Sequence, residues 1–349
     1  MSGRHVLVAR LDRLGDMIIC GPAIRAVAAS ADRVTVLASP AGAAAAALLP
    51  GVDDVLVWDC PWIGAPAASV DPEDIRGVVA RVAAAGVTEA LVLTSFHQNA
   101  LPTALLLRLA GVGRIAAVSE DYPGSLLDVR IAPPPDDPEP VRMLAIAAAA
   151  GYPAPAGDDD RLAVRIPDTA PDAVPSEAPS EPYVVVHPGV DAPARAYPEP
   201  LWRDALAELT RAGWPVVVTG SPGEAARAAR VAAAAELPGR SVDLAGRTDL
   251  AGLAAVLRRA AVLVSANTGP AHLAAAVGTP VVSLFAPVVP ATRWAPHGVP
   301  VRLLGDQHAA CRDTRARACP VPGHPCLSEV GPAQIRDAVD ALASLRAVA

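Results

Sequence analysis

The chain has 349 residues, 52% of them hydrophobic and 19% charged, with a formal charge of −7. That length exceeds one ordinary hydrophobic core and points to two domains. The acidic balance excludes general nucleic-acid binding, which needs a basic face.

All 29 basic residues are arginine, so any cation at a site is a planar, bidentate guanidinium rather than a point charge. The first apolar run, 6–9, is too short for a signal-peptide core and passes straight into charged residues. No stretch of about 18 apolar residues suggests a membrane span. Five cysteines, an odd number, form no disulfide framework. These features predict a cytoplasmic protein with at most peripheral membrane contact.

Short β-branched runs at 6–9, 34–38, 55–58, 90–93 and 115–118 read as strands, and 22–29, 71–85 and 101–110 read as helices. The alternation predicts βαβ units and a parallel sheet, the α/β class. Residues 133–182 turn Pro- and Asp-rich around a helix at 141–150. A second alternating series follows, with strands at 183–187, 215–219, 241–244, 262–265 and 281–285. Its helices fall at 201–212, 223–235, 250–259 and 269–277, and a last one at 334–348. The expected organisation is a Rossmann-like domain at 1–150, a linker at 151–182, a second Rossmann-like domain at 183–330 and a final helix within 331–349. Ligands of open α/β sheets bind outside the carboxyl ends of the strands.

The chemistry-bearing residues cluster at those ends. After the first strand come Arg10, Asp12, Arg13, Gly15 and Asp16. Gly15 would allow a tight turn, and Asp16 would serve as general base or cap the next helix. His187-Pro188-Gly189 ends the first strand of the second half. Arg195 on the following loop would grip phosphate oxygens or remain a solvated surface group. Gly220 and Glu224 form a strand–turn–helix start, where Glu224 would accept from ribose hydroxyls or match the helix dipole. Thr248 offers a resting place for a base. The run Asn267-Thr268-Gly269-Pro270-Ala271-His272 places a turn at a helix N-terminus, which favours a phosphate. Cys311, Cys319, Cys326, His308 and His324 share a Pro-rich segment without a Cys-x₂₋₄-Cys knuckle, which favours packed thiols over zinc.

In this order the motifs resemble glycosyltransferase family 9, the ADP-heptose:lipopolysaccharide heptosyltransferase group. They are Arg-x-Asp-x-x-Gly-Asp, His-Pro-Gly, Leu-Ala-Gly-Arg-Thr-x-Leu, Asn-Thr-Gly-x-x-His-Leu-Ala-Ala-Ala-x-Gly-Thr-Pro and His-Pro-Cys-Leu. The resemblance implies a GT-B fold, with the acceptor on the N-terminal domain, the nucleotide-sugar donor on the C-terminal one, and the last helix crossing back to the first domain. It implies Asp16 as catalytic base, Arg195 where the family often has a phosphate-binding lysine, and Thr268 and Gly269 as the pyrophosphate loop. Gly189, Gly220, Glu224, Thr248, Asn267 and His272 join them as donor-binding residues. Asn267 stands where the family usually has an Asp contacting the donor sugar. The acceptor side is assigned to Gly15, Phe96 and His97, with Trp62, Gln98, Asp121 and Tyr122 on neighbouring loops. The implied reaction is an inverting transfer to a glycan, glycolipid or metabolite, without cofactor or metal. A GT-B sugar epimerase and a non-catalytic sugar- or nucleotide-binding protein are the competing readings.

Overall fold

His5–Arg10, strand β1, is buried along its whole length, as a parallel strand covered on both faces must be. In the computed structural model, which describes residues 3–64, 67–95, 97–168 and 175–348, the chain divides into two compact units between Arg165 and Ile166.

The first unit continues with helices α1 (Leu14–Ile19) and α2 (Gly21–Ala28), β2 (Arg33–Ala38), α3 (Pro40–Leu48), β3 (Asp54–Val57), α4 (Pro72–Ala84) and β4 (Glu89–Val92). It closes with α5 (Leu101–Leu109), β5 (Arg114–Val118), β6 (Val129–Ile131) and α6 (Glu139–Ala149). Its sheet is parallel throughout, in the order β3-β2-β1-β4-β5-β6. Helix starts follow from local chemistry. Ser39 accepts from Gly42 N at 3.0 Å ahead of Pro40, and Asp71 accepts from Glu73 N at 2.9 Å ahead of Pro72.

The second unit runs β7 (Val184–His187), α7 (Glu199–Arg211), β8 (Val216–Val218), α8 (Ala225–Ala232), β9 (Ser241–Asp243), α9 (Leu250–Arg259) and β10 (Val262–Ala266). Then come α10 (Gly269–Ala276), β11 (Val281–Leu284), α11 (Ala291–Trp294), β12 (Val301–Leu304), α12 (Pro325–Ser328) and α13 (Pro332–Val348). This sheet is also parallel, ordered β12-β11-β10-β7-β8-β9. Counted from each unit's first strand, both sheets carry the strand order 3-2-1-4-5-6 of Rossmann folds. Each therefore has a switch point where the chain returns to the far side of its first strand, between β1 and β4 and between β7 and β10.

Two differences from the sequence-based layout have clear causes. Residues 151–165 belong to the first unit rather than to a free linker. Arg25 on α2 grips Asp158 with Nε–Oδ2 and Nη2–Oδ1 distances of 2.8 Å, and Arg165 N donates to Leu48 O at 2.7 Å. The last helix, α13, places Ile335, Val339 and Leu342 in the second unit's core. There Arg336 pairs with Glu208 of α7, and Trp214 donates to Asp340 at 2.7 Å.

Candidate functional site

At the first unit's switch point β1 ends on Arg10, a guanidinium only 1% exposed. Its Nε stands 2.8 Å from Asp12 Oδ2. Its Nη2 lies 2.9 Å from Ser95 Oγ and 3.3 Å from Asp16 Oδ1, and its Nη1 lies 3.8 Å from Met143 Sδ. Ser95 follows β4, so one side chain ties together the two strand ends that border the switch. Gln98 adds a second tie, donating to Asp12 Oδ1 at 2.6 Å while accepting from Ser95 N at 3.1 Å. Burial alone would lower the Arg10 pKa, but Asp12, Cys20, Asp16 and Glu139 outweigh it and raise it, so the cation persists. Burial pushes the nearby Cys20 thiol up to about 12, which keeps it neutral.

Gly15 is not in a tight turn. The helix begins at Arg13, whose carbonyl accepts from Met17 N at 3.0 Å, and Gly15 lies inside α1. Asp16 therefore sits in the first turn of α1, where its Oδ2 also accepts from Arg13 N at 3.4 Å. The capping role and the approach to the strand ends are held by one carboxylate. His97 is exposed on the loop after β4, and Phe96 lies outside the described residues. Trp62 packs edge-on against Trp58 at 5.3 Å, Asp121 accepts from Asn99 at 3.0 Å, and Tyr122 is exposed. These follow β3 and β5, on the same ends of the sheet.

At the second switch point β7 ends on buried His187, whose Nδ1 lies 3.0 Å from Thr219 Oγ1 beyond β8. Burial holds this imidazole below its ordinary value, with Glu224 opposing. Glu224 Oε2 lies 4.0 Å from His187 Nε2 and accepts from both Ser221 N and Ser221 Oγ at 2.8 Å. Burial acts to raise the Glu224 pKa, but the Ser221 bonds outweigh it and lower it. A Cβ on Gly189 would overlap this carboxylate, and one on Gly220 would stand 3.3 Å from Glu224 Cβ. The two glycines and Glu224 are thus brought together. Gly246, at φ +71°, donates to Gly220 O at 2.9 Å, and half-buried Thr248 follows just ahead of the Asp249 cap of α9.

Across the switch, β10 runs into Asn267, with Thr268 as the N-cap residue of α10 and Gly269 as its first residue. Thr268 is extended, and its side chain makes no cap hydrogen bond. Asn267 is 4% exposed and its Nδ2 has no hydrogen-bond partner among the described residues; His272 is 5% exposed and its Nδ1 likewise has none. His272 is pushed down to about 4 by burial and, secondarily, by the charge of Arg195. Leaving a buried donor or acceptor unmade costs about 1–3 kcal/mol. Two such groups lie on either side of the α10 N-terminus, an arrangement in which a ligand would supply the missing partners.

The cysteine segment is different. Cys311 and Cys326 are buried with their sulfurs 4.0 Å apart, and half-buried Cys319 lies 3.3 Å from Val321 O. Among the described residues no three His, Cys, Asp or Glu side chains gather as a metal-ligand set. Sequence reasoning gave no role to Arg10, Ser95, Thr219 or Ser221. For Arg10 a signal existed, namely a charge ending an otherwise apolar strand.

Residues 92–324 match the model of the family described as Glycosyltransferase family 9 (heptosyltransferase). A lipopolysaccharide heptosyltransferase 1 of Pseudomonas aeruginosa is 38% identical over 110 residues, which is 31% of this chain and 30% of that protein. The matched stretch thus spans about a third of the length of such curated relatives. The solved structure of E. coli ADP-heptose lps heptosyltransferase II superposes with a TM-score of 0.74 at 19% identity, covering 99% of this chain and 100% of that one. E. coli heptosyltransferase WaaC with ADP gives 0.72 at 18% identity, covering 97% and 99%. The fold is the two-domain α/β fold of these proteins, GT-B.

Proposed function

Since the chain belongs to glycosyltransferase family 9, we propose that it moves a sugar from a nucleotide-sugar donor to a hydroxyl of a glycan, glycolipid or metabolite, with ADP-heptose as the donor. The observation that carries this reading is the second switch point, where Asn267 and His272, at the N-terminal end of α10, are buried with polar atoms that find no partner among the described residues, and where the charge of Arg195 acts on His272. A nucleoside diphosphate supplies what this place lacks, namely anionic oxygens for Arg195, Thr268 and Gly269 and acceptors for the Asn267 amide. Glu224, Gly189, Gly220 and Thr248 sit on neighbouring strand ends, where the ribose and base would lie. The E. coli structure solved with ADP is consistent with that nucleotide.

In this mechanism Asp16 takes the proton of the acceptor hydroxyl as its oxygen bonds to the anomeric carbon. The bond from that carbon to the diphosphate oxygen breaks on the opposite face, inverting the centre. The developing charge on the departing diphosphate is met by Arg195 and the α10 terminus, so no metal is required. The acceptor is sought near Gly15 in α1 and His97 on the loop after β4. No described helix is long and apolar enough to cross a membrane, and the proposed place of work is the cytoplasm with at most peripheral membrane contact. Asn267, where relatives usually carry Asp, keeps hydrogen-bonding capacity but removes a charge from the sugar pocket.

Calorimetric titration with ADP, UDP, GDP and dTDP in EDTA tests the donor half. Preference for ADP supports the proposal, preference for UDP or dTDP overturns the heptose donor, and binding of none favours a non-catalytic protein. Asp16→Asn tests the other half. Donor turnover is expected to fall about 10²–10⁴-fold with ADP affinity unchanged, and equal turnover in both forms removes Asp16 as the base.

A further inference from the structure

We infer that Arg10 is the positioning residue for Asp16, and that the loop after β4 fixes Arg10 in turn; this rests on the proposed role of Asp16 as base. The motif Arg10-x-Asp12-x-x-Gly15-Asp16 is thereby read as one device rather than a base with flanking residues.

The geometry carries the argument. A guanidinium at 1% exposure is held only if its charge and its N–H groups are met. Here the charge is met by Asp12, whose Oδ2 stands 2.8 Å from Nε but outside hydrogen-bond geometry, and the terminal nitrogens donate to Ser95 and Asp16 from Nη2 and to the Met143 sulfur from Nη1. An ammonium could hold the charge but could not span these partners. Ser95 and Asp16 share one nitrogen, so the Ser95 hydroxyl helps set the angle at which Nη2 meets Asp16 Oδ1. Gln98 closes the ring by holding both Asp12 Oδ1 and Ser95 N. A chain of direct contacts, Gln98–Asp12–Arg10–Asp16 with Ser95 bridging, thus joins the loop after β4 to the carboxylate on α1.

The other charged or titratable groups around this cluster come from several elements. Helix α6 brings Glu139 and Arg142, joined at 3.3 Å, with Glu139 acting on Arg10. The loop after β1 adds Arg13, and the loop after β4 adds His97. Cys20, and Cys60 beyond β3, are buried thiols pushed up to about 12, so they carry no charge at neutral pH. Arg25 on α2 is engaged by Asp158, and α3 has no titratable side chain. Arg10, itself 1% exposed, is a cation that reaches Asp16 out of solvent.

The test reads Asp16 directly. In the full chain labelled with ¹³C at aspartate carboxyl carbons, the Asp16 signal is assigned by its loss in Asp16→Asn. Arg10→Gln is expected to raise the Asp16 titration midpoint by about one pH unit. It should also lower kcat for ADP-heptose turnover by at least about tenfold, with KM for ADP-heptose within about twofold. Arg10→Lys is expected to return the midpoint toward that of the parent while kcat stays low, because the charge is restored and the geometry is not. Ser95→Ala leaves Arg10 in place and should lower kcat severalfold at unchanged KM; it carries the test if Arg10→Gln does not fold. Folded variants whose Asp16 midpoint and kcat both match the parent overturn the inference. A shifted midpoint together with full turnover by Asp16→Asn would instead overturn the base role on which the inference rests.

Discussion

Gly189→Ala is a stringent probe of the second switch point, because its effect follows from one contact. The added methyl would overlap the Glu224 carboxylate, so Glu224 must swing away from Ser221. That forfeits two hydrogen bonds of 2.8 Å, from Ser221 N and Ser221 Oγ. Bonds to a charged group are worth about 1.5–3 kcal/mol each when buried. The Glu224 side chain is 26% exposed, so water recovers part of that. Gly189 does not occupy the left-handed region, and replacing it there lowers unfolded-chain entropy, a gain of about 0.4–1 kcal/mol. The expected net loss is about 1–2 kcal/mol, or roughly 2–8 °C for a unit of this size. Calorimetric melting of the full chain measures it, with the second unit's transition identified by its upward shift with ADP. The control is the same substitution in a Glu224→Ala background, where the collision is gone and the alanine should be neutral or slightly stabilising. A coupling of at least about 1 kcal/mol between the two sites is therefore expected. An equal penalty in both backgrounds would refute the contact as the cause.

His272 links stability to pH. Its ordinary value is 6.5 and burial with Arg195 nearby brings it to about 4, so the unfolded chain takes up the proton first. Its stabilising share is complete above about pH 6.5 and is lost as pH falls toward 4, a total of about 3 kcal/mol at 1.4 per pH unit. Denaturant unfolding of His272→Gln across that window should show a shallower acid decline than the parent, and a parallel decline counts against the buried neutral imidazole. Arg25→Ala should loosen the stretch around Asp158, at a cost of about 1–3 kcal/mol, while Tyr152 and Arg165 still hold its two ends. Limited proteolysis then cuts near Asp158 earlier than in the parent; an unchanged cleavage map would show that the Asp158 grip is dispensable.

Much of the fold was legible because parallel strands buried on both faces read as unbroken apolar runs, as at 183–187 and 262–265. Helix α3 escaped notice although Ser39 and Pro40 announce its start, because its alanine run offers no contrast between faces. The edge strands β6 and β12 are short and partly exposed, with little apolar signal of their own. The tether of 151–165 depends on Arg25 and Asp158, residues more than a hundred positions apart, which composition cannot pair. The same limit applies to the sites. Strand-end motifs pointed to Asp16, Gly189, Glu224 and Asn267. Their supports, Ser95 for Arg10 and Thr219 for His187, lie on other strand exits and are paired only once the sheets form. Gly15 was misread because a helix starting at Arg13 looks in sequence like a turn.

Asn267 has a consequence beyond recognition. Asn267 is only 4% exposed and its Nδ2 has no acceptor among the described residues, so the ligand-free protein is less stable than an apolar residue of similar shape would make it. Selection for a sturdier resting state and selection for an occupied pocket therefore pull this position in opposite directions. Under the proposed function, the polar residue at that thermodynamic disadvantage is the mark of a second unit organised in advance for its guest.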